Sequence, residues 1–145
     1  MNAPLPAQSD PLPRLTGTWI RDSATGPDDA KVPMGGVVIL GRDGTTLRLT
    51  EKASLTSKPT VELDCRLVRS KAARPLNVSG RGCALTIEEG RASYAVYVVK
   101  DGKAIDVERG VLVVATDGVR FADEFTQHEA GGAVTQHRHV YRKVR

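Results

Sequence analysis

The three histidines of this chain, His128, His137 and His139, lie close together near its C-terminal end, shortly after Glu124. Imidazoles beside a carboxylate are ligands that suit Zn²⁺ or Fe²⁺. The same groups suit acid–base chemistry, in which Glu124 holds His139 and Tyr141 donates a hydroxyl proton. His139, Glu124 and Tyr141 are therefore the candidate catalytic residues. The alternative is a solvated outer face, where polar residues simply alternate with buried ones.

A predicted hairpin of two strands, Val119–His128 and Ala133–Val144, would position these side chains. With a loop of two or four residues, one face of the hairpin carries the candidate residues. That face holds Glu124, Thr126, His128, His137, His139 and Tyr141. The other face holds Phe121, Asp123, Phe125, Gln136, Arg138, Val140 and Arg142. Asp123 and Arg138 are then placed to pair across the strands.

Which face of this hairpin points inward stays open. Burial favours the face with Phe121 and Phe125, because exposing each ring forgoes roughly 1.5 to 3 kcal/mol. Asp123 and Arg138 would then be a buried pair and a ligand contact. If that face points outward, the pair is worth about 0 to 1 kcal/mol, and the two rings offer a surface for a homodimer.

The rest of the chain predicts an all-β fold, since two-residue alternation recurs between turn signals and a helical period is nearly absent. The predicted strands are Arg14–Arg21, Gly36–Gly41, Thr45–Glu51, Val61–Arg69, Leu76–Gly80, Ala84–Glu88, Ala92–Lys100, Ala104–Arg109, Val111–Ala115, Val119–His128 and Ala133–Val144. Turn pairs such as Asp101-Gly102 predict antiparallel hairpins between neighbours. We therefore expect a single up-and-down antiparallel β-barrel of roughly eight to ten strands over residues 14–145, with a two-sheet sandwich as the alternative. Tyr94 and Tyr97 lie on opposite faces of one strand, so at most one lines a cavity.

The 145-residue chain has a single domain by length, with 40% hydrophobic and 26% charged residues. Its net charge of +4 comes from scattered bases with few aromatic residues, which argues against nucleic-acid binding. Residues 1–13 contain four prolines and predict a flexible tail rather than a signal peptide. No apolar run is long enough to span a membrane, so we expect a cytoplasmic protein.

In the cytoplasm Cys65 and Cys83 would more often be reduced and buried than paired, although their pairing stays open. The sequence has no Cys-x-x-Cys pair and no His-Glu-x-x-His helix, and we predict neither a metal nor a cofactor. A nucleophile elbow, a phosphate loop and a dinucleotide fingerprint are missing too. Hydrolase, kinase and dehydrogenase activities are therefore not expected.

Two end segments, Leu15-Thr16-Gly17-Thr18-Trp19 and His139-Val140-Tyr141-Arg142-Lys143-Val144, resemble the calycin superfamily of lipocalins and fatty-acid-binding proteins. The resemblance implies a lipocalin-like barrel whose floor is plugged by Trp19, with Arg142 or Lys143 across the ring. It also implies that residues 22–33 form a loop over the barrel mouth rather than a helical lid.

Fatty-acid-binding members of this superfamily hold a ligand carboxylate with an inward Arg-x-Tyr pair in the last strand. Tyr141 matches that tyrosine, but His139 stands at the arginine position and Arg138 is one residue early. We therefore predict binding of a small hydrophobic or amphipathic ligand without assigning a carboxylate. The alternative is a small barrel enzyme, such as a cyclase, isomerase or decarboxylase. The predicted binding residues are Trp19, Phe125, His137, Arg138, His139 and Tyr141.

Overall fold

The computed structural model describes residues 11–26, 35–88, 90–128 and 131–144. It contains one short helix and nine strands that form a closed barrel in chain order. The elements are α1 (Leu12–Leu15), β1 (Gly17–Thr25), β2 (Val37–Asp43), β3 (Thr46–Lys52), β4 (Pro59–Leu67), β5 (Arg81–Glu88), β6 (Arg91–Lys100), β7 (Lys103–Val114), β8 (Arg120–His128) and β9 (Val134–Lys143). The predicted all-β barrel is confirmed. No helix in the described part of the chain is long and apolar enough to cross a membrane.

One pair of neighbouring strands is parallel, which corrects the expectation of a wholly antiparallel meander. Strands β4 and β5 run in the same direction, whereas the other neighbours, including β1 and β9, are antiparallel. A closed ring with an odd number of strands cannot alternate direction all the way round, so at least one pair must be parallel. A parallel pair needs a crossover, and residues 68–80 provide it.

The strands differ from the predicted ones in three places. The segment Leu76–Gly80 lies within the crossover and forms no strand. The two segments predicted on either side of Gly110 are one continuous strand, β7. The predicted mouth loop also begins later, since β1 continues to Thr25, and residues 27–34 lie outside the described residues.

The crossover lies against the outside of β6 and β7. Arg74 donates two hydrogen bonds to Asp106, from Nε to Oδ1 at 2.8 Å and from Nη2 to Oδ2 at 3.0 Å. The hydroxyl of Tyr97 donates to the carbonyl oxygen of Pro75. The Tyr97 ring is fully buried against Gly82, where an added Cβ would lie 2.4 Å from its Cζ. The position therefore requires glycine, because any other side chain would overlap the ring.

Cys65 and Cys83 form a disulfide, so the expectation of reduced thiols is wrong. The two residues are direct partners in the parallel pair of β4 and β5, with Cα atoms 4.4 Å apart. That separation falls within the range that a disulfide spans. Sequence alone could not show this adjacency, because it depends on the crossover.

Trp19 closes one end of the barrel together with α1. The indole Nε1 donates to the carbonyl oxygen of Leu15 at 2.8 Å, and Leu12 and Leu15 are fully buried beside it. Phe121 meets the indole edge to face at 4.7 Å between ring centres. Lys143 lies over the ring, with Nζ 5.6 Å from the ring centre. The resemblance implied that either Arg142 or Lys143 lies across the Trp19 ring, and the structure shows that it is Lys143.

Helix α1 begins within the segment predicted as a tail. Pro13 and the buried Leu12 belong to the helix, because an apolar residue at this point can cover the end of the barrel. Residues 1–10 lie outside the described residues. The division into a tail and a barrel domain stays a prediction for them.

Candidate functional site

The register of the last hairpin decides which side chains enter the barrel. Phe121 faces Tyr141, Asp123 faces His139 and Phe125 faces His137 across β8 and β9. Five residues separate the two strands, rather than the two or four that we expected. Because side chains alternate along a strand, this odd number exchanges the faces of one strand relative to the other. The prediction of which residues share a face is therefore wrong.

The correction places the phenylalanines together with the histidine and tyrosine of the last strand. Phe121, Phe125, His139 and Tyr141 are all buried on the inner face. Both arguments about the hairpin were therefore right in part: burial correctly put the two Phe rings inside, and the resemblance correctly put Tyr141 inside. They conflicted only because the assumed loop length placed these residues on opposite faces.

Glu124 and Arg138 lie on the outside of the barrel and face each other. Their closest atoms, Oε1 and Nε, are 3.4 Å apart, and the side chains are 55% and 56% exposed. Glu124 therefore cannot hold His139, and Arg138 does not pair with Asp123. Both expectations are wrong for the same reason, the register of the hairpin.

The three histidines do not form one cluster. His128 is exposed on the outer face, whereas His139 is buried inside. His137 stacks on Phe125 at 4.9 Å and its Nε2 lies 2.8 Å from the hydroxyl of Thr135. Within the described ranges, no group of three possible metal ligands comes together.

The barrel contains a cavity of about 330 Å³ that is lined by both apolar and polar side chains. The apolar side chains come mostly from β2 to β5 and are Leu40, Leu47, Leu49, Val61, Leu63, Leu85, Val96 and Leu112, next to the disulfide of Cys65 and Cys83. The polar side chains that line the cavity are Arg21, Glu51, Arg81, Tyr94, Glu108, Asp123, Gln127, His139 and Tyr141. The cavity is therefore amphipathic.

Tyr94 joins two carboxyl groups from neighbouring strands. Its hydroxyl oxygen lies 2.8 Å from Oδ1 of Asp123 and 3.0 Å from Oε2 of Glu108. Tyr94 reaches Asp123 by crossing Gly110 of β7, where an added Cβ would lie 2.6 Å from the Tyr94 Cζ. Gln127 donates from Nε2 to Oε1 of Glu108 at 3.2 Å. The network thus spans β6, β7 and β8.

The geometry of this network favours a proton on one carboxyl group. A tyrosine hydroxyl has a single hydrogen and cannot donate to two carboxylates at once. A protonated Asp123 solves the problem, because it donates to the Tyr94 oxygen while Tyr94 donates to Glu108. The pKa of Asp123 agrees with this arrangement, since it is raised to about 8, mainly by burial. The charges of Glu108 and Glu51 add to the rise, whereas the hydrogen bond with Tyr94 and the charge of Arg21 oppose it.

Burial also raises the pKa of Glu51 and of two tyrosines in the cavity. It raises the pKa of Glu51, with the Glu108 charge adding to the effect and Arg21 opposing it. It raises the pKa of Tyr141 to about 12, and that of Tyr94 well above its usual range. Both phenols therefore stay protonated at neutral pH and act as hydrogen-bond donors or acceptors.

Arg21 and Tyr141 form a contact between the first and last strands. The Nη2 of Arg21 donates to the Tyr141 hydroxyl oxygen at 3.2 Å, and its guanidinium carbon lies 5.5 Å from the ring centre. Our sequence analysis did not select Arg21. A usable signal was its position two residues after Trp19, which places both side chains on the inner face of β1.

Three of the predicted binding residues line the cavity, namely Phe125, His139 and Tyr141. Trp19 lies at the closed end and is not among the lining residues, His137 stacks beside Phe125, and Arg138 is outside. The sequence analysis did not select Glu51 or Glu108 as cavity residues. Of the two tyrosines that it left as alternatives, Tyr94 lines the cavity. Gly110 was a possible signal for Tyr94, because a glycine inside a strand often marks a close approach by another group.

Comparisons with known proteins identify structural neighbours only. No protein-family model matches the sequence, and a comparison with curated proteins gives no match. Zebrafish ileal bile acid-binding protein, solved in complex with cholic acid, has a TM-score of 0.51 and 14% sequence identity, covering 90% of this chain and 99% of that one. Bovine odorant-binding protein in complex with undecanal has a TM-score of 0.49 and 12% identity, covering 100% of this chain and 77% of that one. The closed barrel, the buried Trp19 and the likeness to the bile acid-binding structure show that this chain has the calycin fold.

Proposed function

We propose that this protein binds a small amphipathic molecule inside its barrel. The observation that carries the proposal is the barrel cavity of about 330 Å³, which combines an apolar lining, mostly from β2 to β5, with several polar groups. Ligand pockets commonly combine a largely apolar lining with a few polar groups that orient the ligand. The volume lies near the lower end of the usual range of about 300 to 1,000 Å³, so a small ligand fits best.

The two ends of the barrel differ, which supports binding of such a ligand inside the barrel. Trp19, Leu12 and Leu15 seal one end and leave no route past the indole. Arg81 and Val61 border the cavity and are exposed, which marks the side from which a molecule would enter. The bile acid-binding neighbour is complexed with an amphipathic molecule, cholic acid, and this supports the same use of the fold here.

A cavity-filling variant tests this proposal. Leu63 lies on the inner face of β4, and Leu63→Trp would occupy space that the ligand needs. The matched control is Glu62→Trp on the exposed outer face of the same strand. We expect saturable calorimetric binding of decanol or a similar amphiphile, weakened at least about tenfold by Leu63→Trp only. Absence of saturable binding by amphiphiles of any head group would contradict the proposal.

The shared proton between Asp123 and Tyr94 favours acid–base catalysis as a second candidate function. Asp123, rather than Glu124, would then be the general acid. Mass spectrometry of the ligand recovered after incubation distinguishes the two functions. A converted ligand whose conversion is lost in Asp123→Asn indicates an enzyme, whereas an unchanged ligand indicates a binding protein.

The cellular location remains a prediction. The sequence favoured the cytoplasm, but a disulfide such as Cys65–Cys83 is more typical of an oxidising compartment. Thiol alkylation in intact cells separates these possibilities. Free thiols would support the cytoplasm, and blocked thiols would support the oxidising location.

A further inference from the structure

The cavity contains more acidic than basic groups among the described residues that line it. Glu51, Glu108 and Asp123 supply three carboxyl groups, and Arg21 is the basic group within the barrel. Arg81 also borders the cavity, but its side chain is exposed to solvent, where its charge is screened. With Asp123 protonated, an incoming anion would still meet the carboxylates of Glu108 and Glu51 inside the barrel.

The charge of Arg21 is already shared among groups of the cavity. Arg21 donates to the hydroxyl of Tyr141, and its positive charge lowers the pKa of both Glu51 and Asp123. A ligand carboxylate would have to compete with these residues for the same guanidinium. This differs from the Arg-x-Tyr pair of fatty-acid-binding proteins, since His139 stands at the position of the arginine.

The Asp123 carboxyl group carries its proton at the place where Tyr94 and Glu108 also offer oxygen atoms. A cationic group could replace that proton there. A primary ammonium has three hydrogens to donate, and the carboxylates of Asp123 and Glu108 together with the Tyr94 oxygen can accept them. When the ammonium enters, the O–H bond of Asp123 breaks and its proton leaves for solvent. One positive charge enters and one leaves, so the net charge of the cavity does not change.

We propose that the cavity selects amphiphiles whose polar end is a primary ammonium, with Asp123 and Glu108 as its acceptors and the leucines of β2 to β5 around its apolar chain. This inference rests on the proposed function and specifies the ligand class. A carboxylate of the same chain length would add a negative charge next to Glu108 and Glu51 with no proton to release. Selectivity for the amine therefore follows from the charge that each ligand brings.

The titratable groups around Asp123 come from several strands and all bear on its proton. They are Arg21 of β1, Glu51 of β3, Tyr94 of β6, Glu108 of β7, and His139 and Tyr141 of β9. Asp123 faces His139 directly in the strand register, and the positive charge of Arg21 acts on its carboxyl group. Proton release on ligand binding must therefore be measured directly rather than assumed from one residue.

Calorimetry with decylamine, decanol and decanoate tests the inference, because these ligands differ only in their polar end. Below their micelle concentrations and at neutral pH, we expect decylamine to bind at least about tenfold more tightly than decanoate. Titrations in buffers with different ionisation enthalpies should show release of about one proton per decylamine bound. Decanol should bind without proton release.

Asp123→Asn should weaken decylamine binding at least about tenfold and abolish proton release, while decanol binds within about threefold of the wild type. Glu108→Gln should also weaken decylamine, which guards against a folding defect peculiar to one variant. Glu124→Gln, one residue away on the outer face, should leave all three ligands unaffected. Decanoate binding as tight as decylamine, or amine binding without proton release, would overturn the inference alone. Failure of all three ligands to bind would overturn the proposed function as well.

Discussion

Asp123 is a carboxyl group of the cavity whose pKa is raised to about 8, mainly by burial. Its neighbours on β8 are Ala122 and Glu124, whose side chains point the other way, so the sequence around it resembles an ordinary surface strand. Inside the barrel the carboxyl group lies beside Tyr94 and near two further acids, Glu108 and Glu51. Its remaining accessible surface faces the cavity rather than bulk solvent, and for this reason the neutral acid is favoured.

The raised pKa of Asp123 predicts a pH-dependent stability. Between its ordinary value of 3.8 and the folded value of about 8, the folded protein holds a proton that the unfolded chain has lost. The free energy of unfolding therefore falls as pH rises through this window. Asp123→Asn should remove this fall in the free energy of unfolding, because asparagine does not ionise. At about pH 9 the variant should therefore be more stable than the wild type by on the order of a few kcal/mol, whereas at about pH 4 the two should differ little.

Urea denaturation across this pH range measures the difference between variant and wild type. Glu124→Gln is the matched control, because its carboxylate is exposed and its difference should stay nearly constant with pH. A difference for Asp123→Asn that does not grow with pH would show that the folded protein does not retain the proton.

At the scale of elements, the parallel pair of β4 and β5 distinguishes this barrel from a simple meander. The crossover of residues 68–80 joins the two strands and is held against β7 by Arg74 and Asp106. The strands share a register of only three residue pairs, which makes this a short contact within the ring. The Cys65–Cys83 disulfide connects the strands at that point and so reinforces the closure of the barrel.

Loss of the disulfide should therefore lower the free energy of unfolding. The cysteines are 18 residues apart, and a bond that closes a loop of this size contributes about 2 to 4 kcal/mol, mainly by restricting the unfolded chain. Denaturation with and without a reductant measures the effect. The double variant Cys65→Ala, Cys83→Ala should have the lower free energy of unfolding both with and without reductant. If reductant lowers the free energy of unfolding of the wild type no more than that of this variant, the prediction is contradicted.

At the scale of the whole molecule, the barrel has one sealed end. The short helix α1 covers it, with Leu12 and Leu15 against Trp19, and Arg14 donates from Nη2 to the carbonyl oxygen of Ala115 at 3.1 Å. The helix is too short to be stable alone, so its position depends on burial of its two leucines. The cavity keeps its enclosure only while this seal holds.

Leu12→Ala should destabilise the protein and loosen the seal. Truncating a fully buried leucine costs about 2 to 5 kcal/mol, whereas Leu55→Ala, at a half-exposed site, should cost less than about 1 kcal/mol. Acrylamide quenching of the single tryptophan reports on the seal itself. We expect greater quenching in Leu12→Ala than in the wild type or the control, and equal quenching in all three would show that Leu12 does not shield the indole.

Several features of this protein were determined by the sequence itself. The two-residue alternation and the glycine-containing turns are local patterns, and they correctly predicted an all-β barrel with most of its hairpins. The Gly-x-Trp opening predicted a buried tryptophan near a basic residue of the last strand, and Trp19 and Lys143 confirm it. These predictions succeeded because each depends on residues that are close in sequence or on a motif with a constant place in the fold.

Only the tertiary structure decided the chemistry of the interior. A loop of odd length in the last hairpin moved Glu124 outside and brought Asp123 opposite His139, and no local pattern distinguishes these registers. The Cys65–Cys83 disulfide likewise depends on a crossover whose path the intervening residues do not reveal. Arg21 of β1 lines the same cavity as Tyr94 of β6 and Glu108 of β7, although it is distant from them in sequence. Their protonation and charge depend on burial and distance, which are properties of the folded chain rather than of its sequence.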